Sequence, residues 1–275
     1  MKSKSAWVFI VLLVCSGPVV AQTVKAGETA PGVATRFAET MAAAKRGDPN
    51  AQLDVARAYV LGQGVKQDAV QATYWLNLAA EQGHVEAQYL AGKGLSGTNE
   101  EGRERASASW YRRAAYQGHA DAQYQLALAF LQGRRGSPWP SNGEEAIALL
   151  RASANAGVAE AQLTLGSVGM MKAMEDPTNV EWAGVSFPWI KRAAEQGLAD
   201  AQLILATYYQ AGKAVPQDFV QAHMWANIAA SKGATNIVIG SAADLRERIA
   251  KQMTPSQLER AQELASIWKP RPERQ

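Results

Sequence analysis

Cysteine is nearly absent from this chain: a single one, Cys15, in 275 residues. It lies inside a leader-like segment, so a chain trimmed there has no disulfide, no thiol nucleophile and no thiolate metal site. Histidine is scarce too, confined to His84, His119 and His223. There is no HExxH, no GxSxG and no paired metal-ligand spacing, so neither a metal nor a cofactor is implied. Gly62-Gln63-Gly64 stands between two helical patterns rather than after a strand, which excludes the phosphate-loop and dinucleotide templates. Charge of one sign is also missing. Lys2 and Lys4 fall in the leader, and without them basic and acidic residues nearly balance, at 26 against 25. That balance gives no basis for nucleic-acid or anionic-membrane binding. A hydrophobic content of 47%, with no block of like charge, rules out wholesale disorder.

The longest apolar run is Ala6 to Cys15, ten residues against the roughly 20 needed to span a bilayer. Lys2 and Lys4 precede it, Ser16-Gly17-Pro18 breaks it, and Val19-Val20-Ala21 puts small residues before a cleavage point. Residues 1–21 therefore read as a signal peptide cut after Ala21, followed by a flexible segment, 22–34. The expected location is periplasmic or secreted, with no stable membrane span in the mature chain. Two readings compete: an uncleaved anchor, and a lipoprotein acylated at Cys15. Val14 fits a lipobox poorly, because that position normally holds Gly, Ala or Ser.

What the chain has in quantity is repetition. Ala-Gln recurs at Ala51, Ala87, Ala122, Ala161 and Ala201, at spacings of 36, 35, 39 and 40 residues. Gly47, Gly83, Gly118, Gly157 and Gly197 each stand four residues earlier, and Gly233 closes the series. Eight residues before a closing Gly stands Trp75, Trp110, Trp189 or Trp225, with Leu149 in the third unit. Such a period belongs to helical hairpins that stack, because one hairpin cannot bury its apolar face alone. In the first unit Ala51, Val55, Tyr59 and Gly62 share a helical face, Gly62 and Gly64 stop that helix, and Asp68 caps the next. Its partner helix buries Ala72, Trp75, Leu76, Ala79 and Ala80.

These units resemble the Sel-one-like repeat, a tetratricopeptide-like family, over about two-thirds of the chain. The resemblance implies an all-α, right-handed α-solenoid of antiparallel helix pairs. The expected organisation is a capping helix at 35–46, repeats at 47–83, 84–118, 119–157, 158–197 and 198–233, capping helices at 234–268 and a tail at 269–275. Gly92, Gly94 and Gly97 are expected to weaken the first helix of repeat 2. Pro188 is expected in the first turn of a shortened second helix in repeat 4. A last helix is expected from Asn236 to Gln252, followed by one opened by a capping box at Thr254.

The resemblance implies a non-catalytic scaffold with another protein as its partner. His84 and His119 read as turn residues that recur with the repeat, and His223 as solvent-facing or locally bonded. The first-helix face, with Tyr89, Tyr124 and Leu128, and the expanded loop holding Arg135 and Trp139 are the candidate partner-binding residues. The competing reading of Leu53, Tyr89, Tyr124, Leu163 and Leu203, all at one repeat position, is that they wedge between adjacent units. Two other functions stay open. Some cysteine-rich relatives are described as β-lactam-binding hydrolases, and Ser266-Ile267-Trp268-Lys269 is the one Ser-x-x-Lys match. Glycan or peptidoglycan binding through Trp139 and Trp182 is the third reading.

Overall fold

The computed structural model describes residues 31–96, 101–132, 143–175, 180–236 and 239–274. The leader with Cys15 and the loop with Arg135 and Trp139 lie outside them. The described chain is all-α apart from one short hairpin. It opens on α1 (Pro31–Lys45), and the repeats follow as pairs. These are α2 (Pro49–Leu61) with α3 (Ala69–Glu81), α4 (Val85–Leu95) with α5 (Glu101–Tyr116), and α6 (Ala120–Gln132) with α7 (Gly143–Asn155). Next come α8 (Ala159–Glu175) with α9 (Val180–Glu195), and α10 (Ala199–Ala211) with α11 (Phe219–Ser231). β1 (Thr235–Asn236) and β2 (Gly240–Ser241) then lead into α12 (Ala242–Ala250) and α13 (Pro255–Ile267). The chain divides into two compact blocks, Met1–Ala146 and Ile147–Gln275. The fold class is the solenoid of antiparallel helix pairs.

Repeat 1 shows why each element forms. Asp48 caps α2 by accepting from the amides of Asn50 and Ala51 at 2.9 and 3.3 Å. Pro49 supplies the first helical position, where no amide bond is lost. Gly62 ends α2 in the left-handed region (φ +71°), and Asp68 caps α3 by accepting from Val70 and Gln71 at 2.9 and 3.0 Å. Gly64 has two reasons to lack a side chain: its φ is +72°, and a Cβ would lie 2.7 Å from the Val33 carbonyl of α1. Phe37, Met41 and Ala44 of α1 pack onto Ala51, Val55 and Trp75, so the first pair never faces water on that side. At the corresponding turn of repeat 5, Gly212 is left-handed (φ +65°), and Ala214 replaces Gly64 at φ +60°.

Three details differ from what the sequence predicts, and the glycines of repeat 2 gain a packing role besides. Helix α4 runs through Gly92 and Gly94. Gly92 is a close-approach residue: a Cβ on it would sit 2.9 Å from the Tyr111 ring, and the Ser107 hydroxyl donates to its carbonyl at 2.7 Å. Repeat 4 repeats the device, with Ser186 donating to Gly166 at 2.7 Å and Ile190 2.6 Å from a Cβ on Gly166. Repeats 1, 3 and 5 instead hold Ala56 with Ala72, Ala127 with Ala146, and Ala206 with Ala222 at these two positions.

Pro188 falls in the middle of α9, not in its first turn. The carbonyl that loses its amide partner there belongs to Gly184, and both residues are exposed, so the missing bond leaves no buried polar group. The helix expected from Asn236 begins only at Ala242. Asn236 closes a turn by accepting from the Ile239 amide (3.2 Å), Gly240 takes φ +86°, and Ser241 caps α12. Finally, the tryptophans are not equivalent. Trp75 and Trp225 are buried, but Trp110 and Trp189 are half-buried, and the next position, Tyr111 or Ile190, takes the core.

Candidate binding site

The recurring Ala-Gln pair builds the junction between one repeat and the next. Each Ala is buried, and each following Gln reaches back eight residues to a carbonyl at the end of the preceding helix. Gln52 donates to Ala44 (3.2 Å), Gln88 to Ala80 (3.1 Å) and Gln123 to Ala115 (3.3 Å). Gln162 donates to Ala154 and Gln202 to Ala194, both at 3.1 Å. Each of these carbonyls also accepts the amide of the closing Gly, at 2.9 to 3.1 Å, so the Gln amide takes up the second lone pair at the helix end. The residue before the closing Gly adds a second rung: Gln82 donates to Gln52 (2.6 Å), Gln117 to Gln88 (2.8 Å) and Gln196 to Gln162 (2.9 Å). Repeat 5 has Lys232 in that place, and the Gln202 Oε1 is left buried without a partner.

The two repeat histidines belong to the same junctions. His84 Nδ1 accepts from the Ala87 amide (3.3 Å) and His119 Nδ1 from Ala122 (3.2 Å), so each caps a helix and carries its proton on Nε2. His84 Nε2 then donates to Asn50 (3.1 Å), and His119 Nε2 to Glu86 (3.0 Å). That hydrogen bond, with Arg57 adding charge at 3.9 Å, holds the Glu86 carboxyl below its ordinary range despite partial burial.

At repeat 4 the junction grips a peptide. The tail after α13 runs extended over the ends of α7, α8 and α9, anchored first by the Arg271 amide on the Glu195 carbonyl (2.8 Å). Pro270 lies on Gly197, and Glu273 and Arg274 lie on Gly157, where a Cβ would come within 3.0 Å of both. The Glu273 amide donates to Gln196 Oε1 (3.3 Å). Its carboxylate takes both Arg192 Nε (2.8 Å) and Nη2, the paired geometry a guanidinium fork offers. Gln162 Nε2 completes the set at 2.9 Å. The Arg192 hydrogen bonds push the Glu273 carboxyl down, and the Arg192 guanidinium stacks on Trp189 at 4.5 Å. In the sequence this segment reads only as a tail at 269–275. The usable signal was the pattern Trp-x-x-Arg-x-x-x-Gln-Gly at Trp189 to Gly197.

The sequence-derived candidates are placed as follows. Tyr89 is half-buried on α4, its ring stacked on His119 at 4.4 Å and tilted against Tyr111 at 5.9 Å, so much of it serves the repeat junction. Leu53 and Leu203, at the same repeat position, are fully packed. Tyr124 and Leu128 are half-buried on α6, one turn apart. Arg135 and Trp139 lie outside the described residues, and of Trp182 only its place in α9 is described. Ser266 is exposed at the end of α13 and donates to the Glu263 carbonyl at 2.7 Å. His223 corrects an expectation: it is buried, with Nδ1 unpartnered, beneath a hollow that Asn227, Arg246 and Glu247 also line. Thr73 is its repeat 1 counterpart, but α12 packs on α11 and covers this side of repeat 5. Among the described residues no group of three acidic, His or Cys side chains is gathered as a metal site would require. None of the described helices is long and apolar enough to cross a membrane.

Comparison with known proteins gives these junctions a context. A family model described as the Sel1 repeat matches residues 49–84, 85–119, 120–158 and 199–233, more than half of the chain. The crystal structure of a protective antigen present in uropathogenic Escherichia coli strains, displaying an SLR fold, is 29% identical with a TM-score of 0.56. That match covers 86% of this chain and 56% of the other, so this chain spans little more than half of that relative's length. The crystal structure of a Sel1 repeat protein from Oxalobacter formigenes is 25% identical with a TM-score of 0.61, covering 88% of this chain and 98% of the other. No curated protein matches the chain.

Proposed function

Because the chain belongs to the Sel1 repeat family, we propose that it is an exported, non-catalytic scaffold that binds another protein in the bacterial envelope or outside the cell. Repeats of this family usually serve protein interaction. The observation that carries the reading is the tail at repeat 4. Junction side chains there hold an extended segment through its backbone and one carboxylate, which is how a repeat surface takes a peptide. Export rests on the leader sequence and has support from the relative described as a protective antigen. Tyr124 and Leu128 on α6, with Arg135 and Trp139 in the sequence that follows, are further candidate partner-binding residues.

The test is affinity capture from the envelope or medium with the purified exported protein, beside mass spectrometry of its N-terminus. A mature chain starting near Gln22 and a partner retained through washing are expected. An intact Met1 in a cytosolic fraction ends the export reading, and a lipidated Cys15 converts it to an anchored form. Turnover of a β-lactam, lost in Ser266→Ala, would replace the scaffold with an enzyme.

A further inference from the structure

Repeats 2 and 4 are twins in a way repeats 1, 3 and 5 are not. Trp110-Tyr-Arg-Arg113-Ala-Ala-Tyr-Gln117-Gly118 stands where repeat 4 has Trp189-Ile-Lys-Arg192-Ala-Ala-Glu-Gln196-Gly197. At the Arg position repeats 1, 3 and 5 have Leu78, Ala152 and Ile228, none of which can bind a carboxylate. The geometry is shared as well as the letters. Arg113 stacks on Trp110 at 4.7 Å as Arg192 does on Trp189 at 4.5 Å. Gln117 donates to Gln88 at 2.8 Å as Gln196 does to Gln162 at 2.9 Å. Both first-helix glutamines spend one amide hydrogen on a carbonyl at 3.1 Å, and in repeat 4 the other goes to Glu273.

In repeat 4 these groups hold Glu273, and the side chains of Glu273 and Arg274 lie on Gly157 and the Pro270 ring on Gly197. Their counterparts in repeat 2 are Gly83 and Gly118, and a Cβ on either would meet no described atom within 4 Å. Among the described residues Arg113 has the Trp110 face and no carboxylate. Every component of a carboxylate-holding cradle is therefore present, with Arg113 and Gln117 exposed and Gln88 buried behind them.

We propose that Gln88, Arg113 and Gln117 form a second peptide site, which takes an extended Pro-x-x-Glu segment of another protein. The site seats the Glu carboxylate on the Arg113 fork, the Glu stem over Gly83 and the Pro ring over Gly118. The chemistry of the occupant comes from Pro270 to Glu273, which repeat 4 holds with the same side chains. A second copy's tail is the weaker occupant: each tail is tethered beside its own repeat 4 at an effective concentration on the order of millimolar, so it leaves only by losing those contacts. This site rests on the scaffold reading and gives it a location and a ligand chemistry.

The probe is the heptapeptide of residues 269–275, titrated into the purified full chain while the indole signals of Trp110 and Trp189 are followed by NMR. The Trp110 signal is expected to move, and binding should weaken about ten- to a hundredfold in Arg113→Gln, or when the peptide's Glu becomes Gln. Gln117→Ala should weaken it less. Arg113 is exposed, so a folded variant is expected, checked by circular dichroism. No binding at millimolar peptide, an unchanged affinity in Arg113→Gln, or movement of Trp189 alone overturns the site. Self-association of the wild type that Arg113→Gln abolishes would assign the site to a second copy's tail and overturn the partner claim. Affinity capture separates the two readings: a partner held equally by wild type and Arg113→Gln keeps the scaffold and removes the site. Peptide binding with no partner captured by either does the reverse.

Discussion

Gly166→Ala is the sharpest test of how α8 and α9 pack. On helix propensity alone, replacing a mid-helix Gly by Ala stabilises by about 0.8–1 kcal/mol. The structure reverses that sign. A Cβ at position 166 would stand 2.6 Å from Ile190 Cγ1 and 3.1 Å from the Ser186 carbonyl oxygen. Ile190 is fully buried, and the carbonyl belongs to helix backbone, so neither gives way freely. Overpacking of this kind costs about 1–3 kcal/mol. Separating the helices also stretches the 2.7 Å bond from Ser186 to Gly166, worth about 1 kcal/mol. Against the propensity gain, the net loss should be about 1–3 kcal/mol.

The control is Gly184→Ala, also inside a helix of this block but exposed and with nothing within 4 Å of its Cβ. It should stabilise by about 0.5–1 kcal/mol. Urea unfolding followed by tryptophan fluorescence reads both, and adding Ile190→Ala to Gly166→Ala should cost less than the two changes summed, since the clash is gone. Equal stabilisation by Gly166→Ala and Gly184→Ala would refute the close packing of α8 on α9.

Other outcomes follow from the same contacts. Trp75→Ala should cost about 3–5 kcal/mol and half-buried Trp110→Ala roughly half of that, by urea unfolding; equal costs would show that the two indoles are equally buried. The Glu273 carboxyl is held below its ordinary 4.5 by the Arg192 hydrogen bonds, so tail anchoring is complete above that value and lost as pH falls through the depressed one. A carbon-13 titration of Glu273 should therefore show a low midpoint that rises in Arg192→Gln; a midpoint unmoved by that change would remove the ion pair. Burial, and then the Arg246 charge, lower the His223 pKa below 6.5, so the folded protein favours the neutral ring. Stability should fall as pH drops below about 6.5, the unfolded value, and His223→Leu should flatten that fall; an unchanged slope would place the ring in water.

Much of the fold was legible because repetition multiplies weak local signals. Asp68 and Thr254 read as caps, and cap residues act through atoms two or three positions away, so local sequence contains the whole interaction. Gly62 and Gly64 read as stops for the same reason, their left-handed conformation being a property of one residue. Pro188 was misplaced because its local preference is for a first turn. An exposed Gly184 four residues earlier lets α9 carry it in the interior, a compensation outside that preference.

The sequence by itself determined the helix pairs, the period and the identity of the residues at the junctions. Only the tertiary structure decided what those residues do there. Ala-Gln is a mere spacing marker until Gln88 is seen to satisfy the Ala80 carbonyl of the preceding repeat. Gly92 and Gly166 look like helix weakeners until Ser107 and Ser186 arrive from the partner helix. The burial of His223 depends on α12, and the anchoring of Glu273 on a bond between residues 81 positions apart. Propensity acts within a turn or two, whereas each of these contacts exists only after separate helices have packed, so their partners cannot be read from nearby sequence.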